Sequence, residues 1–311
     1  SYNPVERKVL KGEYKNFDII TMGPPSSGGI CIIYLLNILE NYNIKSLGRT
    51  SLDYINLLSE AMKRVYADRS EYMGDMDFYK VPIEELISKT YAKNRFENFQ
   101  FGMVIASDNI EPGKIKKEST QTTHISAADS KGNMVSLTTT LNDSYGNKVV
   151  VDGAGFLLNN EMDDFSVKPG VPNIFGLVGN EANAIEPGKR MLSSMTPTII
   201  LKDSKPFMVV GSPGGGKIIT SVLQTLLNVI EFDMDLQEAV DAPRFHHQWL
   251  PDLLQAEKNL LSRNMIKKLS DIGYELKFVS DFGRVEAVMF NSDGTLSGHS
   301  DKRGSGKAIG F

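Results

Sequence analysis

Gln121-Thr122-Thr123-His124-Ile125-Ser126 is the stretch from which the rest of the chain is read. It follows a polar and charged loop, Ile115 to Thr120, and opens a run that alternates like a strand. A second alternating run, Met134 to Thr140, comes directly behind it. Alternation sends residues two apart to the same face of a strand. Ser130-Lys131-Gly132-Asn133 supplies the turn, so Thr123–Asp129 and Met134–Thr140 are predicted to form a hairpin. A threonine at the head of such a strand is ordinarily a β-branched residue suited to the pleat. Its hydroxyl is also a nucleophile when a base can reach it. His124 shares a face with Thr122, side by side rather than in contact, and is one candidate base.

Upstream the texture is helical. Phe17–Met22 reads as a strand, and Gly23-Pro24-Pro25-Ser26-Ser27-Gly28-Gly29 as a turn-rich loop. Ile30–Asn41 continues as an apolar helix whose first turn Ser26 or Ser27 could cap. Leu52–Tyr72 carries Tyr54, Leu57, Leu58, Ala61, Met62 and Val65 on one face at helical steps. Pro82–Phe96 reads as a third helix with its proline at the tolerant first position. Glu97–Thr120 is irregular and charged, the kind of exposed loop that tolerates cleavage.

Downstream, Gly155–Asn159 reads as a short strand. Asn160–Arg190, with four glycines and three prolines, reads as a long functional loop. Strands are predicted over Thr198–Lys202, Phe207–Gly211, Glu275–Val279 and Val285–Asn291, and helices over Ile218–Ile230 and Met265–Ile272. The order of helices, hairpins, then a helix and more strands implies an α+β fold: an antiparallel core with helices outside it.

Composition narrows the function. A formal charge of −4 and a pI near 5.7 argue against a nucleic-acid binder. No apolar run is long enough to span a bilayer. Cys31 is the only cysteine, which excludes an internal disulfide and a cysteine metal cluster. The chain begins Ser1-Tyr2-Asn3-Pro4, without a signal peptide or an initiator Met, as a piece of something longer would.

Gly211-Ser212-Pro213-Gly214-Gly215-Gly216-Lys217 has the spacing of a phosphate-binding loop. Ile218 then stands where magnesium needs a hydroxyl, Pro213 removes a backbone donor, and no acidic partner strand is present. The same glycines suit an oxyanion hole, or simply a tight strand-to-helix turn. His246-His247 hints at a metal, but adjacent histidines point apart and no further ligand sits at ligand spacing. Packing in an aromatic turn is the plainer reading. Asn159-Asn160-Glu161 followed by Asp163-Asp164 is either a solvated turn or a grip for an ammonium group. Ser193-Ser194 either holds a carboxylate or satisfies local backbone groups.

Together these stretches resemble the gamma-glutamyltranspeptidase family of N-terminal-nucleophile hydrolases. The resemblance runs from about Phe17 to the C-terminus. It is carried by Pro24-Pro25-Ser26-Ser27-Gly28-Gly29, Tyr66-Ala67-Asp68-Arg69, Thr122-Thr123-His124, Leu158 to Phe165, Leu192 to Pro197, Gly211 to Gly215 and Ala242-Pro243-Arg244-Phe245, in that order. It implies a four-layer αββα sandwich and a precursor that cuts itself between Gln121 and Thr122. Residues 122–311 would then be the complete small subunit. Residues 1–121 would be the back part of the large one, the two forming one composite domain. The front part of the large subunit, with its secretion signal and a carboxylate-binding arginine, is absent from this sequence. A periplasmic or secreted location is implied.

The resemblance also implies roles. Thr122 is the nucleophile, and its freed α-amine, with an ordinary pKa near 7.7–8, takes the hydroxyl proton. Thr140 steadies Thr122. Asn142, Glu161 and Asp164 hold the α-amino group of a γ-glutamyl donor such as glutathione. Ser193 and Ser194 hold its α-carboxylate, and the N–H groups of Gly214 and Gly215 form the oxyanion hole. Phe175, where many bacterial members carry tyrosine, belongs to a lid spanning Asn160–Arg190. The acceptor is an amino acid, a peptide or water, and no cofactor or metal is called for. The sequence departs from the family at Gly216-Lys217, where Ser-Arg is common, and at Met191, where Pro is common. Two alternatives remain: an acylase or amidohydrolase of other amides, such as poly-γ-glutamate or a β-lactam side chain, and an unprocessed, inactive fragment.

Overall fold

The computed structural model describes residues 3–111, 123–166, 168, 181–280 and 282–311. Its centre is a six-stranded antiparallel sheet in the order β1-β2-β5-β6-β10-β11. The strands are β1 (Leu10–Tyr14), β2 (Phe17–Thr21), β5 (Thr198–Lys202), β6 (Lys205–Gly211), β10 (Glu286–Phe290) and β11 (Leu296–Ser300). Strands from before residue 122 (β1, β2) and after it (β5, β6, β10, β11) therefore share one hydrogen-bonded sheet, joined where β2 pairs with β5.

On one face lie the helices α1 (Gly28–Leu39), α3 (Leu52–Tyr72) and α6 (Lys217–Ile230). Every residue of α1 is buried. A helix apolar on all sides belongs at the centre of a core rather than at its surface. Around these sit α2 (Ile44–Leu47), α4 (Ile83–Leu86), α5 (Lys89–Arg95), α7 (Leu236–Asp241) and α8 (Arg263–Asp271). A small mixed sheet of β7 (Phe245–His246), β8 (Leu254–Glu257) and β9 (Leu276–Val279) lies apart from the large one, with β8 and β9 parallel.

The hairpin β3 (Thr123–Ala128) and β4 (Met134–Thr139) forms where the sequence predicts it and packs against β5, β6 and β10. Its inner face is polar: Ser136 Oγ donates to the Val210 carbonyl at 3.2 Å and Ser126 Oγ to the Glu286 carbonyl at 2.9 Å. Its outer face carries Ile125, Val135 and Leu137, each more than half exposed. Among the described residues the layers thus run helix, sheet, hairpin. The apolar outer face is one that a further layer would cover.

Two expectations need correction, and a third is narrowed to one of its two residues. Pro82–Phe96 is two helices, because Ser88 Oγ accepts from the Tyr91 N–H at 3.1 Å and starts a new helix there. Gly155–Asn159 is no strand and makes only the isolated bridge Val150–Leu157. Ser27, at the N-cap of α1, makes no capping bond, its hydroxyl being spent on Ser193, while Ser26 Oγ accepts from the Gly28 N–H at 3.3 Å.

Candidate active site

The hairpin is seated by His124. Its imidazole fills the space a side chain on Gly211 would need. Nδ1 lies 2.9 Å from Thr138 Oγ1 and Nε2 lies 3.0 Å from Ser126 Oγ. Burial pushes its pKa down to about 4, so the ring is neutral at pH 7. With both ring nitrogens engaged inside the hairpin, His124 is a strut, and the candidate base of the sequence reading is set aside. Thr122 lies outside the described residues. Its covalent neighbour Thr123 opens β3 and pairs with Thr139, the residue before Thr140.

Beyond β4 the chain turns sharply. Asn142 has φ 69°, a left-handed conformation that Asn adopts more readily than most residues. Its N–H donates to Thr140 Oγ1 at 2.8 Å, and its Nδ2 donates to the Asn160 carbonyl at 3.1 Å. The Asp143 N–H donates to Asn160 Oδ1 at 2.8 Å, and the Asn160 N–H to the Leu141 carbonyl at 3.1 Å. These bonds lace Thr140 and Asn142 to a single 3-10 turn, Glu161–Asp164. Burial raises the Glu161 carboxyl to about 7. Asp164 is buried, and its carbonyl accepts from Asn183 Nδ2 at 2.6 Å. Asn183 Oδ1 in turn accepts from the Leu192 N–H at 3.0 Å, tying the acidic turn to the serine pair.

The Pro-Pro-Ser-Ser loop fixes that pair from the other side. The Ser193 N–H donates to the Pro25 carbonyl at 2.8 Å. The Ser193 carbonyl accepts from Ser26 Oγ at 2.9 Å, Ser27 Oγ at 2.8 Å and the Ser27 N–H at 2.7 Å. A side chain on Gly28 would overlap Thr196 Oγ1 and the Met195 carbonyl, so only glycine permits this approach. Ser193 Oγ accepts from the Met195 N–H at 3.0 Å, and Ser194 Oγ accepts from Arg69 Nη2 at 2.9 Å.

A cavity of about 580 Å³ has Thr140, Glu161, Asp164 and Ser193 on its wall. Residues from three separate segments thus meet in one space. Asn142 and Ser194 are both buried and are not on that wall. The N-terminal arm and Arg190 also line this cavity. Arg7 bonds Asp77 at 2.5 and 3.0 Å and Asp75 at 3.4 Å. The Arg190 N–H donates to Asp75 Oδ2 at 2.8 Å. No motif marks these residues, because ion pairs between distant segments leave no local pattern. Phe175 and most of the loop before residue 181 lie outside the described residues.

Gly214 and Gly215 are not on the wall of this cavity. They form the corner between β6 and α6, with φ 132° and 73°. A side chain on Gly214 would come within 2.8 Å of the Gly283 Cα. The Ile218 N–H donates to the Gly215 carbonyl at 2.8 Å, and the Tyr66 hydroxyl donates to the Gly216 carbonyl. Lys217 lies over the Phe282 ring, 4.9 Å from its centroid.

His246 and His247 are both fully buried. His246 is bonded to Thr220 Oγ1 at 2.9 Å and Gln248 Oε1 at 3.0 Å, and His247 Nδ1 accepts from the Trp249 N–H at 3.2 Å. Among the described residues no group of three or more His, Cys, Asp and Glu side chains is placed to hold a metal ion.

A family model described as Gamma-glutamyltranspeptidase matches residues 1–311. The glutathione hydrolase proenzyme of Escherichia coli is 49% identical over 304 residues, covering 97% of this chain and 52% of that protein. An acylase proenzyme from a Pseudomonas species is 36% identical over 304 residues, covering 97% and 52%. The chain spans about half the length of the curated relatives it matches. Among solved structures, a point mutant of Helicobacter pylori gamma-glutamyltranspeptidase is 54% identical with a TM-score of 0.57, over 58% of this chain and 100% of that one. A cephalosporin acylase from Bacillus halodurans is 25% identical with a TM-score of 0.82, over 96% of this chain and 52% of that one.

Proposed function

The chain belongs to the gamma-glutamyltranspeptidase family, and on that premise we propose that the complete protein transfers or hydrolyses γ-glutamyl groups after cutting itself before Thr122. The observation that carries the reading is the cavity wall. It sets a threonine, two carboxyl groups and a serine around one space, as a zwitterionic amino-acid head requires. Glu161, Asp164 and Asn142 take the α-ammonium of the donor, and Ser193 and Ser194 take the α-carboxylate.

Thr122 then attacks the γ-carbonyl of glutathione or a similar amide. Its α-amine takes the hydroxyl proton and hands it to the leaving amine. Thr140, held by the Asn142 N–H at 2.8 Å, steadies the nucleophile. The N–H groups of Gly214 and Gly215 stabilise the oxyanion, each worth about 3–4 kcal/mol in comparable enzymes. Phe175, on a lid, shields the γ-glutamyl ester. An amino acid, a peptide or water then releases the group.

Residues 1–121 and 122–311 act as parts of two subunits of one composite domain, since β2 and β5 pair along their length. Among the described residues no helix is long and apolar enough to cross a membrane. The reading places the enzyme in the periplasm or outside the cell.

A donor panel tests the proposal. Release from glutathione and γ-glutamyl anilides supports it. Release only from other acyl amides, such as a β-lactam side chain or poly-γ-glutamate, would favour the acylase reading.

A further inference from the structure

Lys63, in the middle of α3, is fully buried and has no part in the chemistry above. Its Nζ donates to the Ile105 carbonyl at 2.9 Å and lies 3.1 Å from Glu60 Oε1 and 3.4 Å from Asp252 Oδ1. Asn56 stands on the same face of α3, two turns earlier. Its Nδ2 donates to the Met103 carbonyl at 3.0 Å, and its Oδ1 accepts from the Gly102 N–H at 2.9 Å. Two side chains from beyond residue 122 complete the set. Asp252 Oδ2 accepts from the Ser107 N–H at 2.7 Å, and Trp249 Nε1 donates to the Ser107 carbonyl at 2.8 Å. Apart from the 3-10 turn Ser107–Asn109, the stretch from Gly102 to Ile110 has no helix or strand. Side chains meet its backbone groups instead.

We infer that Asn56, Lys63, Trp249 and Asp252 form a clamp that positions the chain on its way into the self-cleavage site. The grip is on main-chain atoms, so it sets the place and direction of the segment whatever side chains the segment carries. Asn56 and Lys63 hold it from the near side of the cut, and Trp249 and Asp252 from the far side. Ser107 is the point where both groups of one peptide chain link are taken from across the cut. The histidine pair of the sequence gains a use here, because His247 Nε2 lies 3.1 Å from Asp252 Oδ1 and its Nδ1 accepts from the Trp249 N–H. That ring ties the two far-side members of the clamp to each other. Further on, Arg95 Nη2 adds one exposed bond to the Glu111 carbonyl at 3.2 Å. Without the clamp, that bond alone would hold the segment, and the next firm hold upstream is Phe101, packed edge-on against Tyr42 and Phe99.

The inference rests on the reading that the chain cuts itself before Thr122. Three quantities are measured on the complete protein: the rate of self-cleavage by intact mass, kcat of the cleaved fraction, and hydrogen exchange of the peptide spanning residues 102–111. Asp252→Ala is expected to speed exchange of that peptide while α1 exchanges as before. It is expected to slow self-cleavage about two- to threefold, the loss of loop-closure probability when the hold before Thr123 recedes from Glu111 to Phe101. The kcat of the cleaved fraction is expected to stay the same, since neither Trp249 nor Asp252 is part of the acyl-transfer site. Trp249→Phe keeps a ring and loses the N–H, so it is expected to act in the same direction by a smaller factor, and it serves if Asp252→Ala does not fold. Unchanged exchange, or faster exchange with an unchanged cleavage rate, would overturn the inference. So would a cleavage rate and kcat that fall together, the mark of a general loss of structure. Each of these leaves the acyl-transfer reading standing, whereas a parent protein that stays uncut before Thr122 would overturn both.

Discussion

The imidazole of His124 occupies the volume that a β-carbon on Gly211 would fill. This contact joins the hairpin to the strand that leads into the glycine corner, and it sets the spacing between them. Gly211→Ala is expected to push the ring off its seat and cost about 1–3 kcal/mol, as overpacking of a close-packed site does. Thermal or urea unfolding checks the stability. The change is also expected to lower kcat/KM, because Thr138, the partner of the displaced ring, lines the cavity.

Stability should fall on acidification. The unfolded chain protonates His124 near the ordinary 6.5, but burial delays this in the folded state to about 4. Protons therefore favour unfolding within that window: the contribution is complete above about 6.5 and is lost as pH falls to about 4. His246, lowered to about 3 chiefly by burial, slopes the same way. Glu161, raised to about 7, slopes oppositely between about 4.5 and 7, so parent and His124→Gln must be compared. The variant is expected to show a flatter melting temperature between pH 4 and 6.5.

The pH dependence of donor capture should carry Glu161. A carboxyl near 7 in the free enzyme must ionise to grip an ammonium, so kcat/KM is expected to rise through pH 7. Glu161→Gln should raise KM and remove that ionisation. The later rise near 7.7–8 belongs to the Thr122 amine and should remain. A pH profile of both proteins decides between them.

Arg244 and Asp301 form a fully buried ion pair at 2.7 Å. Arg244 also donates to the Phe282 carbonyl at 2.7 Å, and Asp301 Oδ2 accepts from the Val285 N–H at 3.0 Å. Between these anchors sits Gly283, packed on Gly214. Asp301→Ala leaves a buried cation unpaired and is expected to cost about 3–5 kcal/mol, measured by denaturant unfolding. Asp301→Asn keeps the Val285 bond and should cost less.

Much of this was legible in residue order. The Leu52–Tyr72 helix and the Thr198–Lys202 strand end where the sequence ends them, because their periodicity is strong and Ser51 caps the helix by accepting from the Tyr54 N–H. The cavity wall was legible only through the family resemblance. Glu161 and Ser193 read singly as turn residues, and nothing local says that Asn183 joins them. Lys205 and Pro206 in β6, and β1 as a whole, escaped notice because their apolar residues are sparse. Arg7 and Arg190 escaped for another reason: their partners lie tens of residues away, where neither alternation nor helical spacing reaches.

The central claim is that residue 122 is a liberated chain end that carries the acyl group. Intact-mass spectrometry of the complete protein, incubated with a γ-glutamyl donor and quenched in acid, tests it most directly. The expected result is a fragment of residues 122–311 bearing one γ-glutamyl group, mapped to Thr122, with no such fragment from Thr122→Ala. An unbroken Gln121–Thr122 bond in a preparation that still hydrolyses glutathione would contradict it.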